Sequence, residues 1–212
     1  HSDITVFSFH PVKIITTAEG GMTLTNNKDI AEKIFRLRTH GITNDKKKME
    51  KRPKNEIWNY QQIDLGFNYR MNDMQAALGL SQIKRLDKCV TRRHEIAKYY
   101  DNELKSLPFI TPRQASNVYS SYHLYPILIK NNSDSKTQRY IYDELRKNNI
   151  AANLHYIPVH RQPYYENLGF KKNDFPEAEK FHREVISIPM YPSLEDKHKE
   201  HVIEILRKLT KK

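Results

Sequence analysis

The sequence predicts an α/β fold in two parts. Short apolar runs typical of strands alternate with segments in which apolar residues recur at helical spacing. The stretch from Pro108 to Ser121 follows neither pattern and is rich in proline and polar residues. We therefore predict one domain over residues 1–107, with connecting helices, and a smaller α+β domain over residues 108–212.

The first domain begins with strand patterns and ends with helical ones. Asn72 or Asp73 provides a helix cap, and the long polar segment between Gly41 and Asp64 is typical of a functional or mobile loop. In chain order we predict a buried strand at Ile4–Phe9, a second strand at Gly21–Thr25, and helices at Asn27–Arg38, Asp73–Leu86 and Arg92–Leu104.

The second domain shows the same alternation on a smaller scale. Its last helix is expected to start at Ser193, where Asp196 imitates a capping box with a shorter acid. In chain order we predict a strand at Tyr122–Ile129, a helix at Asp134–Lys147, a strand at Ile150–Tyr156, a helix at Pro176–Arg183, a strand at Val185–Ile188 and the helix from Ser193.

Composition narrows the class of protein. Cys89 is the only cysteine, so an intrachain disulfide is excluded and a reducing, cytoplasmic compartment is favoured. No apolar run approaches the eighteen or so residues that span a membrane, and no secretory signal is visible at the N-terminus. We therefore expect no membrane partner.

A net charge of +11 raises the possibility of nucleic-acid binding. The densest basic stretch, residues 46–54, has no interleaved aromatic residue and no nucleic-acid fold signature accompanies it. A solvated loop, or attraction of an anionic substrate such as a nucleotide-sugar diphosphate, fits this stretch better. We predict no nucleic-acid partner.

Lys13 is the strongest candidate for a chemical role. The first strand ends in Ser8, His10 and Pro11 and is followed at once by this single lysine. A lysine so placed can bond covalently to an aldehyde cofactor, and the aldehyde indicated is pyridoxal 5'-phosphate (PLP). An isolated lysine would be interpreted as a solvated surface amine, so the interpretation depends on the flanking residues.

Several ordered motifs resemble those of the DegT/StrS sugar aminotransferases. The lysine segment most resembles that of the UDP-4-amino-4,6-dideoxy-N-acetyl-β-L-altrosamine transaminases of pseudaminic acid biosynthesis. The matching segments are residues 7–13 (FSFHPVK), 16–21 (TTAEGG), 37–41 (LRTHG), 65–77 (LGFNYRMNDMQAA), 122–125 (YHLY), 155–160 (HYIPVH) and 188–192 (IPMYP).

The resemblance implies a PLP-dependent transferase of fold type I and a homodimer. Members are nearly twice this long and carry the cofactor lysine near mid-chain, so we interpret the chain as the C-terminal portion. It would hold the end of the large domain and the small domain. Three features that the family supplies earlier in its sequence have no counterpart here: the phosphate loop, the ring that stacks on the pyridine, and the aspartate that pairs with the pyridine nitrogen.

The resemblance also assigns roles around the lysine. Lys13 would anchor the cofactor and shuttle the proton during transamination, and Ser8 would donate to the cofactor phosphate. Asn68 would reach the phosphate in the partner subunit, and Arg70 would lie near the nucleotide-sugar. Taken alone, Ser8 is equally a hydroxyl bonded to backbone, and Asn68 a turn or cap residue.

His155, Tyr156 and His160 form a second candidate group. In the family this segment borders the sugar pocket, and Tyr122-His123 is a weaker candidate of the same kind. Ordinary packing at a domain interface is the alternative. Two histidines without a carboxylate or cysteine at ligand spacing do not indicate a metal, so no metal site is predicted.

The predicted reaction transfers an amino group from glutamate to the C4 ketone of a UDP-4-keto-6-deoxy-HexNAc sugar. The fragment alone is expected to be inactive. Two alternatives remain open: an aminotransferase for another nucleotide-sugar, such as a perosamine-type synthase, and a non-catalytic remnant of a split gene.

Overall fold

The computed structural model describes residues 2–53, 55–57, 59–130 and 136–210, and it confirms the mixed helix-and-sheet fold. The chain divides into two compact units, His1–Leu86 and Asp87–Lys212. This grouping places the helix of residues 86–104 almost entirely with the second unit. The predicted domain limit at residue 107 stays a prediction. No helix in the described ranges is long and apolar enough to cross a membrane.

The first unit is built from two small antiparallel ladders and two helices. Its strands pair β1 with β2 and β3 with β4. Asn27 caps α1 through its side chain, and Asn72 forms a capping box with Gln75 at the start of α2. The elements are β1 (Thr5–Ser8), β2 (Gly21–Leu24), α1 (Lys28–Leu37), β3 (Ile42–Thr43), β4 (Gln61–Gln62) and α2 (Asp73–Ile83).

The prediction that the first strand is buried is wrong for this chain. Every residue of β1 is exposed, and so is every residue of β2, its one ladder partner. Apolar side chains elsewhere in the unit are exposed too, including Leu65 (87%) and Met74 (81%). The apolar run does form a strand, but nothing among the described residues of this unit covers its faces.

The second unit holds the hydrophobic core. Helices α3, α4 and α7 pack around a three-stranded antiparallel sheet of order β5-β6-β7, and all the buried apolar side chains of the core belong here. The elements are α3 (Leu86–Leu104), β5 (Phe109–Ile110), β6 (Tyr125–Ile129), α4 (Lys136–Lys147), a 3₁₀ turn (Val159–Arg161), α5 (Pro163–Asn167), α6 (Pro176–Glu184), β7 (Val185–Ile188) and α7 (Asp196–Thr210).

Several predictions in this unit are wrong. Strand β6 begins at Tyr125 rather than Tyr122, and α3 begins at Leu86 rather than Arg92. Residues 150–156 form no strand, because only Asn153 pairs there, through an isolated bridge to Ser187 of β7. The last helix begins at Asp196 rather than Ser193, because Asp196 binds the side chains of Arg92 and Lys199 instead of closing a capping box. The predicted start of α4 at Asp134 lies outside the described residues.

Candidate functional site

Lys13 lies in the connection that joins β1 to β2. Its backbone N–H donates to the His10 carbonyl (2.9 Å), which closes a turn, and its side chain is half-buried. The ends of the connection are joined by the Phe9 N–H, which donates to the Gly20 carbonyl (2.9 Å). The lysine is thus carried on a closed loop at the end of a two-stranded ladder.

Two threonines hold this loop in place. The N–H of Thr17 and the hydroxyl of Thr16 both donate to the Phe9 carbonyl, at 3.0 and 2.9 Å. Thr17 is buried and its hydroxyl donates to the Glu19 carbonyl (2.8 Å). A Cβ on Gly79 of α2 would lie 2.9 Å from the Thr17 methyl, so the loop packs directly on this helix.

Ser8 and His10 lie beside the lysine turn. Ser8 is the last residue of β1, opposite Gly21, and it is exposed. Its hydroxyl oxygen accepts the His10 backbone N–H at 3.4 Å, a long contact that leaves the hydroxyl proton available as a donor. Ser8 therefore ends the strand that leads into the lysine turn.

Asn68 and Arg70 lie on a segment that runs antiparallel to the residues after α1. Asn68 forms an isolated bridge with Thr39, and the Tyr69 N–H donates to the Arg38 carbonyl (2.9 Å). Both candidate side chains are exposed. The structure thus fixes their backbone in the first unit and leaves their side chains accessible.

A close backbone contact positions this segment. Gly41 has φ +72°, and a Cβ there would lie 1.8 Å from the Asp64 carbonyl oxygen. A Cβ on Gly66 would lie 2.1 Å from the Gly41 nitrogen. The side chains of Arg36 and Asp64 form an ion pair next to this contact. Two of the sequence motifs, residues 37–41 and 65–77, therefore meet through their glycines.

His155, Tyr156 and His160 differ sharply in their surroundings. His155 is half-buried, and its Nδ1 lies 2.8 Å from the Ser187 hydroxyl. Burial lowers the pKa of His155 below its usual value. The Tyr156 side chain is 71% exposed, whereas His160 is only 7% exposed. His160 Nε2 lies 3.0 Å from Glu179 Oε1 and 3.2 Å from the Lys172 carbonyl oxygen.

Sequence reasoning missed the residues of α6 that contact this segment. Glu179 is buried, accepts a hydrogen bond from His160 and forms an ion pair with Arg161, and His182 lies one turn further along the helix. Burial and the nearby Arg161 lower the pKa of His182. Nothing local in the sequence marks Glu179, because it lies in an ordinary charged helix.

The weaker candidate pair, Tyr122-His123, is held by a buried arginine of α3. Arg93 Nη1 donates to the carbonyls of Tyr122 (2.8 Å), His123 (3.2 Å) and Met190 (2.8 Å). Tyr122 has φ +45°, so this anchoring supports a backbone conformation that a tyrosine rarely adopts. Burial lowers the pKa of Arg93.

The predicted site residues thus divide between the two units. Ser8, Lys13, Asn68 and Arg70 belong to the first, and the candidates from residue 122 onward to the second. Across the part of the chain that the structure describes, no three His, Cys, Asp or Glu side chains are grouped to hold a metal ion.

The sequence profile of the DegT/DnrJ/EryC1/StrS aminotransferase family matches residues 1–207. The spore coat polysaccharide biosynthesis protein SpsC of Bacillus subtilis is 37% identical over 212 residues, covering 99% of this chain and 54% of SpsC. A UDP-4-amino-4,6-dideoxy-N-acetyl-β-L-altrosamine transaminase of Campylobacter jejuni is 35% identical over 215 residues, with the same coverage.

Solved structures agree. The Streptococcus pneumoniae sugar-aminotransferase homologue Spr1654 in its PMP form has a TM-score of 0.88 at 30% identity, covering 99% of this chain and 51% of that one. Its PLP form gives 0.87 at 29% identity. The chain spans about half the length of the relatives it matches. Since the profile match extends over nearly the whole chain, the chain belongs to the DegT/DnrJ/EryC1/StrS aminotransferase family.

Proposed function

We propose that this chain is the C-terminal portion of a PLP-dependent aminotransferase. The enzyme transfers an amino group from glutamate to the C4 ketone of a UDP-4-keto-6-deoxy-HexNAc sugar. The observation that carries the proposal is Lys13, which a closed and buttressed turn holds beside Ser8 in a member of an aminotransferase family.

The donor set of the first unit fits part of this cofactor. An amine and a hydroxyl at one end of the β1–β2 ladder suit an aldehyde and a phosphate. Lys13 would hold the aldehyde carbon and Ser8 the phosphate. When bound, PLP withdraws electrons from the carbon that loses its proton. No residue of this chain is assigned to the pyridine ring or its nitrogen.

Lys13 would act twice in the reaction. Its amine would hold the cofactor covalently. When it is not so engaged, the same amine would move the proton between the two carbons that exchange it. The hydrogen-bonded turn fixes the half-buried backbone position from which the amine projects.

The sugar side of the proposal rests on two exposed side chains and on charge. Arg70 and Tyr156 are exposed, polar and available to bind a nucleotide-sugar. The net charge of +11 favours an anionic diphosphate. The Campylobacter jejuni relative bears the name of a transaminase for a UDP-linked dideoxy sugar, which favours that substrate over a perosamine-type one. The single cysteine is in keeping with a cytoplasmic location.

Chemical trapping tests the lysine assignment. In the whole enzyme, borohydride reduction makes the bond between lysine and cofactor permanent, and peptide mapping should locate the label on Lys13. Lys13→Ala should abolish amination of the keto-sugar while cofactor is still bound non-covalently. Lys28→Ala, which removes an exposed lysine of the same unit, is the matched control and should keep full activity. A label on another lysine would refute the assignment.

We further propose that the enzyme is a homodimer with shared sites, in which Asn68 reaches the partner's cofactor phosphate. Its exposed side chain on a fixed backbone supports this role. Lys13→Ala and Asn68→Ala variants of the whole enzyme should each be inactive or weak. Mixing them should restore activity, because one of the two mixed sites has both residues. Absence of recovery after demonstrated subunit exchange would contradict sharing.

A further inference from the structure

Helix α6 presents one buried carboxylate, Glu179, toward the segment of residues 155–161. Glu179 is only 4% exposed, and its two oxygens have different partners. Oε1 lies 3.0 Å from His160 Nε2, and Oε2 lies 3.5 Å from Arg161 Nη1. A single buried carboxylate thus fixes two consecutive residues of the 3₁₀ turn.

Both contacts come from a single side chain of α6. We refer to Glu179 with its two partners, His160 and Arg161, as the α6 clamp.

The helix that carries the α6 clamp is itself anchored. The buried Gln138 of α4 donates through Nε2 to the carbonyls of His182 (2.8 Å) and Val185 (2.6 Å). These bonds hold the end of α6 where it passes into β7. The α6 clamp is therefore attached to the sheet and core of the second unit rather than to a mobile loop.

The held segment has a fixed backbone and one free aromatic side chain. His155 is tied to Ser187 of β7 at 2.8 Å, and His160 is buried against Glu179. Between them, the Tyr156 side chain is 71% exposed. A backbone held at both ends with an outward-facing tyrosine is an arrangement suited to presenting that side chain.

We propose that Glu179 is a positioning residue that fixes residues 156–161, so that Tyr156 is presented to the nucleotide-sugar and His160 acts through its bond to Glu179 rather than by touching the sugar. The inference rests on the proposed function, which it extends to a residue without a predicted role. The physical reason is that a buried carboxylate with two donors cannot be changed without leaving those donors unpaired.

The test uses Glu179→Gln in the whole enzyme, because glutamine keeps the size and one acceptor but loses the charge that pairs with Arg161. Glu177→Gln is the matched control, since it makes the same change on an exposed residue of the same helix. Hydrogen exchange should become about tenfold faster within residues 156–161 in Glu179→Gln, above all at the Arg161 amide, which donates to the Pro158 carbonyl (2.9 Å). The amides of β6 and β7 should be unchanged, and so should every amide in the control.

Steady-state kinetics provide the second readout. Glu179→Gln should raise KM for the UDP-keto-sugar about tenfold. Glutamate alone converts the bound cofactor to its amine form, and this half-reaction needs no sugar. Its rate in Glu179→Gln should stay within about twofold of the rate in the unaltered enzyme. Glu179→Ala should show the same pattern more strongly if it folds.

Three results would overturn the inference: exchange that accelerates throughout the second unit, unchanged exchange at residues 156–161, or an unchanged KM for the sugar. Failure of the proposed function looks different, because the unaltered enzyme would then aminate no UDP-keto-sugar. In that case the exchange experiment would still decide whether Glu179 fixes the segment.

Discussion

Gly41 and Gly66 position the backbone of the first unit, although neither has a side chain that could take part in a reaction. Gly41 adopts φ +72°, and its carbonyl accepts the N–H groups of Ile63 (2.9 Å) and Asp64 (3.2 Å). Gly66 packs against the backbone of residues 40 and 41. A side chain at either position would separate the two strands of chain that carry Arg38 and Asn68.

Gly41→Ala should therefore destabilise the chain by about 2 kcal/mol or more, because strain at positive φ adds to a clash with the Asp64 backbone. Urea denaturation measures the loss. Gly169→Ala is the matched control, since Gly169 has φ +102° with nothing within 4 Å of an added Cβ. It should cost about 1 kcal/mol from strain alone. Equal losses in the two variants would show that the backbone contact contributes nothing.

At the scale of elements, helix α2 starts at a capping residue that the sequence reveals, and it supports the turn that carries Lys13. Its capping box joins Asn72 and Gln75 at 2.9 and 3.1 Å, and its Gly79 faces the methyl of Thr17 under the lysine turn. The helix start thus stabilises the element on which the turn packs.

Asn72→Ala should lower the free energy of unfolding by about 1 kcal/mol, because the Gln75 N–H loses its acceptor. Amide exchange at Thr17 should quicken as α2 frays. Asn72→Ser retains a capping oxygen, so it should lower the free energy of unfolding by only a few tenths of the loss seen with alanine. Its exchange rate at Thr17 should change correspondingly less. If the alanine and serine variants matched each other, the cap would have no role in holding the turn.

Elements with a local signal were predictable, and those that depend on distant partners were not. The spacing of Ile30, Ile34 and Leu37 was enough for α1, and α6 and β7 were placed to within a residue. The apolar run of residues 150–156 resembles a strand, yet only Asn153 finds a bridge partner. Glu179 could not be found from sequence, because its partners His160 and Arg161 lie 19 and 18 positions away and only the fold brings them together.

At the scale of the whole molecule, the two units differ in that the hydrophobic core lies among the described residues of the second. Every buried apolar side chain of the core comes from residues 96–206, whereas the described residues of the first unit leave side chains such as Val6 and Leu80 exposed. Exposed apolar strands with unpaired edges favour association with other chains. The second unit is therefore the part of this chain best equipped to fold alone.

The 212 residues by themselves should neither bind PLP tightly nor aminate a UDP-4-keto-sugar, because none of the residues proposed to hold PLP pairs with its pyridine nitrogen. Lysine-bound PLP absorbs at about 400–430 nm, and absorbance in this range should stay low after PLP is added. A coupled assay should detect no amination of the sugar. Light scattering should reveal association through the first unit. A chain that turns yellow with PLP and aminates the sugar would overturn both the proposed fragment and the roles left to the rest of the enzyme.

The short β3–β4 ladder determines how the first unit tolerates insertions into the loop that joins the two strands. Ile42–Thr43 pair with Gln61–Gln62, and the Gln61 side chain bonds both the N–H (2.7 Å) and the carbonyl (2.9 Å) of Glu50. The loop between β3 and β4 is thus closed at its base, so its ends stay in place whatever the number of residues between them. Loop-closure entropy grows only logarithmically, and five inserted residues would cost about 0.2 kcal/mol. Insertions there leave Asn68 and Arg70 where they are.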